Sequence, residues 1–140
     1  MLERVLGRNL AVTLASTADR IRADAGHLDD LASQAARDVV RVDPEEVAID
    51  AEALGTLPRP IAARVTLQAL RAAGAIEGAP EAEAAHVDAV LNLAAGRPGR
   101  RADLPGPLLA VRDRGYVRVS RSSPVARSRA PRRASRRAKR

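Results

Sequence analysis

Residues 86–120 read HVDAVLNLAAGRPGRRADLPGPLLAVRDRGYVRVS. This stretch changes its period midway. His86, Val90 and Leu93 recur at helical spacing, with Val87, Leu91 and Ala94 alongside, and Gly96 closes the run. A basic link follows, Arg97-Pro98-Gly99-Arg100-Arg101. Leu104-Pro105-Gly106-Pro107 then makes a stiff turn. Leu109 and Val111 alternate with Ala110 and Arg112, and Val117 and Val119 flank Arg118, which is the period of strands. Asp113-Arg114-Gly115 fits a short hairpin loop, with the glycine expected in the left-handed position. The stretch predicts a helix over 81–95 and a small antiparallel unit over 108–120.

Working outward, two further helices precede it. Pro58 and Pro60 bracket Arg59 and open a helix that ends at Gly74. Ile61, Val65 and Leu70 face inward there, filled in by Ala62, Ala69 and Ala73. Residues 75–80 read as loop. Over 8–39, Leu14, Ile21, Leu28 and Ala35 fall seven apart, with Ala18, Ala25 and Ala32 between them. A rod of ~45 Å is expected at 1.5 Å per residue. Its apolar stripe suits a core helix of an α-rich domain, or a helix-paired dimer. Residues 39–42 and 47–50 are short and β-branched, interrupted by Asp43-Pro44, and read either as brief strands or as extended linker. Asp50 can cap a short helical turn that stops at Gly55. The fold class is therefore mainly α with a small C-terminal β-hairpin (α+β): one long helix, two shorter ones and two or three antiparallel strands.

Charge divides the chain. Residues 121–140 carry nine Arg and Lys and no acid, whereas residues 1–120 carry 15 basic and 17 acidic groups. The net charge of +7 belongs to a tail, not to a basic body. Such a block stays solvated, so 1–120 is expected as one domain and 121–140 as a disordered Arg-rich tail. The tail reads either as a polyanion-binding arm or as a neutral extension rich in Arg, Ala, Pro and Ser.

Several chemistries are excluded. Without cysteine there are no disulfides, thiolate metal sites or thiol nucleophiles, as suits a cytoplasmic protein. No apolar run approaches the ~20 residues that span a bilayer. His27 and His86 lack His or Cys partners at ligand spacing, so neither is expected to hold a metal. The pairs Asp29-Asp30 and Glu45-Glu46 point apart and suggest no acid–base cleft. No catalytic, cofactor-binding or metal-binding residue is expected. Nucleic-acid binding remains. Arg97, Arg100 and Arg101 lie in the basic link, and Arg112, Arg114 and Arg118 on or beside the hairpin. Arg64 and Arg71, seven apart on one helix, form either a solvated rim or a phosphate pair. Arg132, Arg133, Arg136 and Arg137 stand in the tail. With Tyr116 the sole aromatic, a stacking reader of single strands is disfavoured, and a tRNA body or duplex backbone fits better.

The order of these elements resembles the region that follows the ATP-binding domain in the tRNA(Ile)-lysidine synthase family. Leu2-Glu3 is similar to the end of that family's Leu-Pro-x-Leu-Glu stretch. Leu57-Pro58 before Arg64 resembles its Leu-Pro-x-x-Leu-Arg-Arg-Arg helix. His86-Val87 with the basic loop resembles its next helix. Leu104-Pro105-Gly106, Val111-Arg112 and Arg114-Gly115 resemble its terminal strands. The resemblance covers about residues 2–120. It implies a tRNA-binding part of a ligase that attaches lysine to the wobble cytidine of isoleucine tRNA using ATP. The family's Ser-Gly-Gly-x-Asp-Ser loop does not occur in these 140 residues. The chain alone is thus expected to be inactive, a fragment whose ATP would bind an absent domain. Its expected partners are tRNA and either a separate ATP-binding domain or a second copy through the N-terminal helix, with no membrane. The alternative reading is a stand-alone helical scaffold, or a non-specific nucleic-acid-binding protein using its basic tail.

Overall fold

The computed structural model describes residues 2–75 and 80–122. Its elements, in chain order, are α1 (Leu2–Val39), β1 (Val40–Val42), β2 (Glu46–Asp50), α2 (Ala51–Thr56), α3 (Arg59–Ala72), α4 (Pro80–Ala95), β3 (Arg101–Leu104), β4 (Leu108–Asp113) and β5 (Tyr116–Arg121). The α+β class holds. The loop expected over 75–80 falls largely on residues 76–79, outside the described residues, as does the expected tail beyond Ser122 with Arg132, Arg133, Arg136 and Arg137.

The sheet is larger than the two or three strands expected. Its five strands run antiparallel in the order β1-β2-β5-β4-β3. The two additions are the β-branched runs that could equally have been linker. Val40 and Val42 pair with Ile49 and Val47, and a tight turn at 43–46 closes the hairpin, with the Asp43 amide donating to the Glu46 carbonyl at 2.9 Å. β5 is the central strand and makes β2 an interior one by pairing its other edge, where Val47 faces Val119 and Ile49 faces Val117.

The helices pack on one face of this sheet. Val47, Ile49, Leu108, Ala110, Val117 and Val119 meet Leu54, Ile61, Val65, Leu70, Val87, Val90 and Leu93 in a single buried cluster. The inward residues of α3 and α4 are those that the helical spacing picked out, except that His86 lies at the edge and that Thr66, not singled out, is fully buried. Asp50 caps α2, its carboxylate accepting from the Ala53 amide at 2.9 Å. That helix passes Gly55 and ends at Thr56, because Pro58 drives Leu57 into extended backbone (ψ 146). At the end of α3, Gly74 takes φ 73 and the Ala75 amide reaches back to the Leu70 carbonyl at 2.9 Å.

The long helix departs from the expectation of a core helix. Its apolar stripe is covered only toward its C-terminus, where Leu28, Ala32, Ala35 and Val39 join the core. Arg64 of α3 donates to Asp29 at 2.9 Å, and Gln68 donates to Ser33 at 3.1 Å, fastening this half of α1 to α3. Toward the N-terminus, Leu6, Leu10, Leu14 and Ile21 continue the stripe, each at least 60% exposed. A helix of 14 residues cannot cover one of 38. Among the described residues, no helix is long and apolar enough to cross a membrane.

Candidate nucleic-acid interface

Two backbone hydrogen bonds bring the basic link to the hairpin. The Gly99 amide donates to the Arg112 carbonyl at 2.7 Å, and the Arg112 amide donates to the Arg100 carbonyl at 2.8 Å. Gly99 permits this with φ 89, a conformation that favours glycine. The link therefore lies along the end of β4, next to the two-residue turn that leads into β5. The start of α2 meets the same turn, the Ala51 amide donating to the Gly115 carbonyl at 2.9 Å. The left-handed residue of that turn is Arg114 (φ 45), not Gly115 as expected. In two-residue hairpin loops the first loop residue takes positive φ to match the strand twist, and here that position holds arginine.

Five of the sequence-selected arginines thus converge on one end of the sheet: Arg97, Arg100, Arg101, Arg112 and Arg114. Arg97, Arg100, Arg101 and Arg114 are exposed, and none forms an ion pair among the described residues. Arg112 differs, because its position in β4 faces the core. Its Nε and Nη1 are buried and have no hydrogen-bond partner among the described residues. A desolvated guanidinium without a counter-charge is costly, and an anion at its rim offsets that cost. Of the nearby acids, Asp113 already accepts from Arg118 and Asp50 already caps α2.

The other selected arginines are tied elsewhere. Arg64 bonds Asp29 on α1, and Arg71 bonds Glu83 on α4 at 3.3 Å. Arg118 lies on the sheet face turned away from the helices, where it donates through Nη1 to Glu46 and through Nε to Asp113 at 3.2 Å. Glu46, by hydrogen bond and charge, raises its pKa above the ordinary arginine value. The same face shows two residues that the sequence pattern did not single out as binding groups, Arg41 and Tyr116. The signal for Tyr116 was the alternation that sets Tyr116 and Arg118 opposite Val117 and Val119, and that for Arg41 its place between Val40 and Val42. Among the described residues, no group of three or more His, Cys, Asp or Glu side chains is gathered to hold a metal.

Comparison with known proteins bears on the same elements. A family model described as the TilS substrate binding domain matches residues 49–118, a span that includes all five convergent arginines. The tRNA(Ile)-lysidine synthase of Thermobifida fusca (strain YX) is 40% identical over 121 residues, which make up 86% of this chain and 36% of that protein. The chain spans little more than a third of that relative's length.

Proposed function

Because the chain belongs to the TilS substrate-binding domain family, we propose that it is the tRNA-holding part of a tRNA(Ile)-lysidine synthase and grips RNA phosphates at the arginine end of its sheet. The observation that carries this reading is the convergence of Arg97, Arg100, Arg101, Arg112 and Arg114 without acidic partners among the described residues. Guanidinium groups bind phosphate oxygens through two parallel donors and fix register without reading sequence. Lysine transfer to the wobble cytidine needs ATP activation, and these 140 residues carry no Ser-Gly-Gly-x-Asp-Ser loop. An ATP-binding domain therefore supplies the chemistry, and this chain presents the tRNA to it. The protein works in the cytoplasm, where tRNA is modified.

A second reading is favoured by the bare stripe of α1. Leu6, Leu10, Leu14 and Ile21 suit a partner surface, either the ATP-binding domain or a second copy of the chain. Sedimentation over a concentration series separates these two, because only self-association depends on this chain's own concentration.

The test of the main reading is fluorescence anisotropy with an isoleucine tRNA and with duplex DNA at equal salt, from 50 to 200 mM. We expect tighter binding of tRNA, with log affinity falling by about 0.7–0.9 per decade of salt for each phosphate held. Equal affinity for both nucleic acids, or none for tRNA, overturns the reading.

A further inference from the structure

The face of the sheet turned away from the helices carries the chain's one aromatic ring. There is no Trp and no Phe, and a single Tyr. The strand register sets Arg41, Ala48, Arg118, Val111 and Arg101 in one row across all five strands. Tyr116 stands in an adjoining row, between Asp50 and Asp113. The guanidinium carbon of Arg41 lies 5.8 Å from the Tyr116 ring centroid and that of Arg118 lies 5.7 Å from it. Glu46 and Asp113 hold Arg118 from two sides, so its place over the ring is fixed. The ring is half-buried rather than sealed, and the helices all pack on the opposite face.

We infer that Tyr116, with the flanking guanidinium groups of Arg41 and Arg118, is a stacking site for one unpaired base of the bound RNA. The inference rests on the reading of the arginine end as the part that holds tRNA. Tyr116 follows the Arg114-Gly115 turn directly and pairs across it with Asp113, so the ring adjoins the phosphate-holding groups. Rings and guanidinium planes both offer faces to a splayed base, and such stacking tolerates any base. The acids around Arg118 cancel much of its charge. Around Tyr116 and Arg118 this face therefore adds stacking more than phosphate attraction, and the two contributions separate by their response to salt.

The experiment uses the whole chain and an RNA hairpin with an unpaired loop, beside a fully paired RNA duplex. Anisotropy of the labelled RNA reports binding, and intrinsic tyrosine emission reports Tyr116 alone. We expect the hairpin to quench the emission and the duplex to leave it unchanged. Tyr116→Leu should weaken hairpin binding about tenfold without changing the salt slope, and Tyr116→Phe should restore it. Hairpin binding with unchanged emission overturns the stacking site and leaves the tRNA reading standing. A loss in Tyr116→Leu without any quench in the parent chain makes the ring structural and also overturns it. Failure of the parent chain to bind isoleucine tRNA in the same assay removes both readings.

Discussion

Arg64 and Arg71 on α3 each reach an acid on a neighbouring helix, whereas Arg97, Arg100, Arg101 and Arg114 at the sheet end reach none among the described residues. The residue type is the same and so is the spacing signal, with groups clustered on one element. The difference lies in what the fold brings opposite them. A guanidinium with an acid in place ties two elements together and is largely neutralised. One without an acid is a standing invitation to phosphate. Local strain follows the same division, since the positive φ of Arg114 lies within the unpaired set.

The largest test of this contrast removes the basic link. Replacing Arg97, Arg100 and Arg101 together by alanine should weaken tRNA binding about 100-fold, at ~1 kcal/mol for each hydrogen-bonded phosphate given up. The salt slope should fall by about 2, while urea unfolding stays unchanged. An unaltered slope would show that these groups do not touch phosphate.

Next comes Arg112, where binding and stability should move in opposite directions. Arg112→Leu removes two orphaned donors and should stabilise the fold by about 1–3 kcal/mol in urea titration, while tRNA affinity drops. Destabilisation instead would mean that the guanidinium is already satisfied. A smaller version of the same trade is expected at the turn. Arg114→Gly should relieve about 1 kcal/mol of backbone strain and still weaken binding at low salt. The smallest effect is expected at the paired arginines. Arg64→Ala and Arg71→Ala should change stability by less than about 1 kcal/mol, because each ion pair keeps one partner well exposed to solvent. Their tRNA affinity should match the parent chain, and a tenfold loss at either would erase the distinction drawn between the two sets.

The legible parts of the fold were the local ones. The spacing of Ile61, Val65 and Leu70 and of Val87, Val90 and Leu93 located α3 and α4, and the alternation around Val117 located β5. Its hairpin partner β4 was legible too, but what pairs with its other edge was not. Its neighbour β2 lies far back in the chain, Glu46 opposite Ser120, and a run of five residues carries no mark of so distant a partner. The stripe on α1 was readable as apolar, but not the point at which α3 stops covering it. The candidate site divides in the same way. Arg97, Arg100 and Arg101 are neighbours in sequence and stay neighbours in space. Arg64 and Arg71 read as a solvated rim or a phosphate pair and not as ties between helices, because the acids that claim them, Asp29 and Glu83, come from other helices.

No loop separates α1 from the sheet: Val39 ends the helix and Val40 begins β1. The rod and the edge strand are mechanically one piece. A sideways pull on the far end of α1 therefore acts as a lever on β1, which is held by only three residue pairs to β2. Its first resistance is the packing of Leu28 and Ala32 into the core, beside the hydrogen bonds at Asp29 and Ser33, and this seam serves as the fulcrum. Whatever grips the bare half of α1 is thereby geared to β1, three strands from the arginine end of β4.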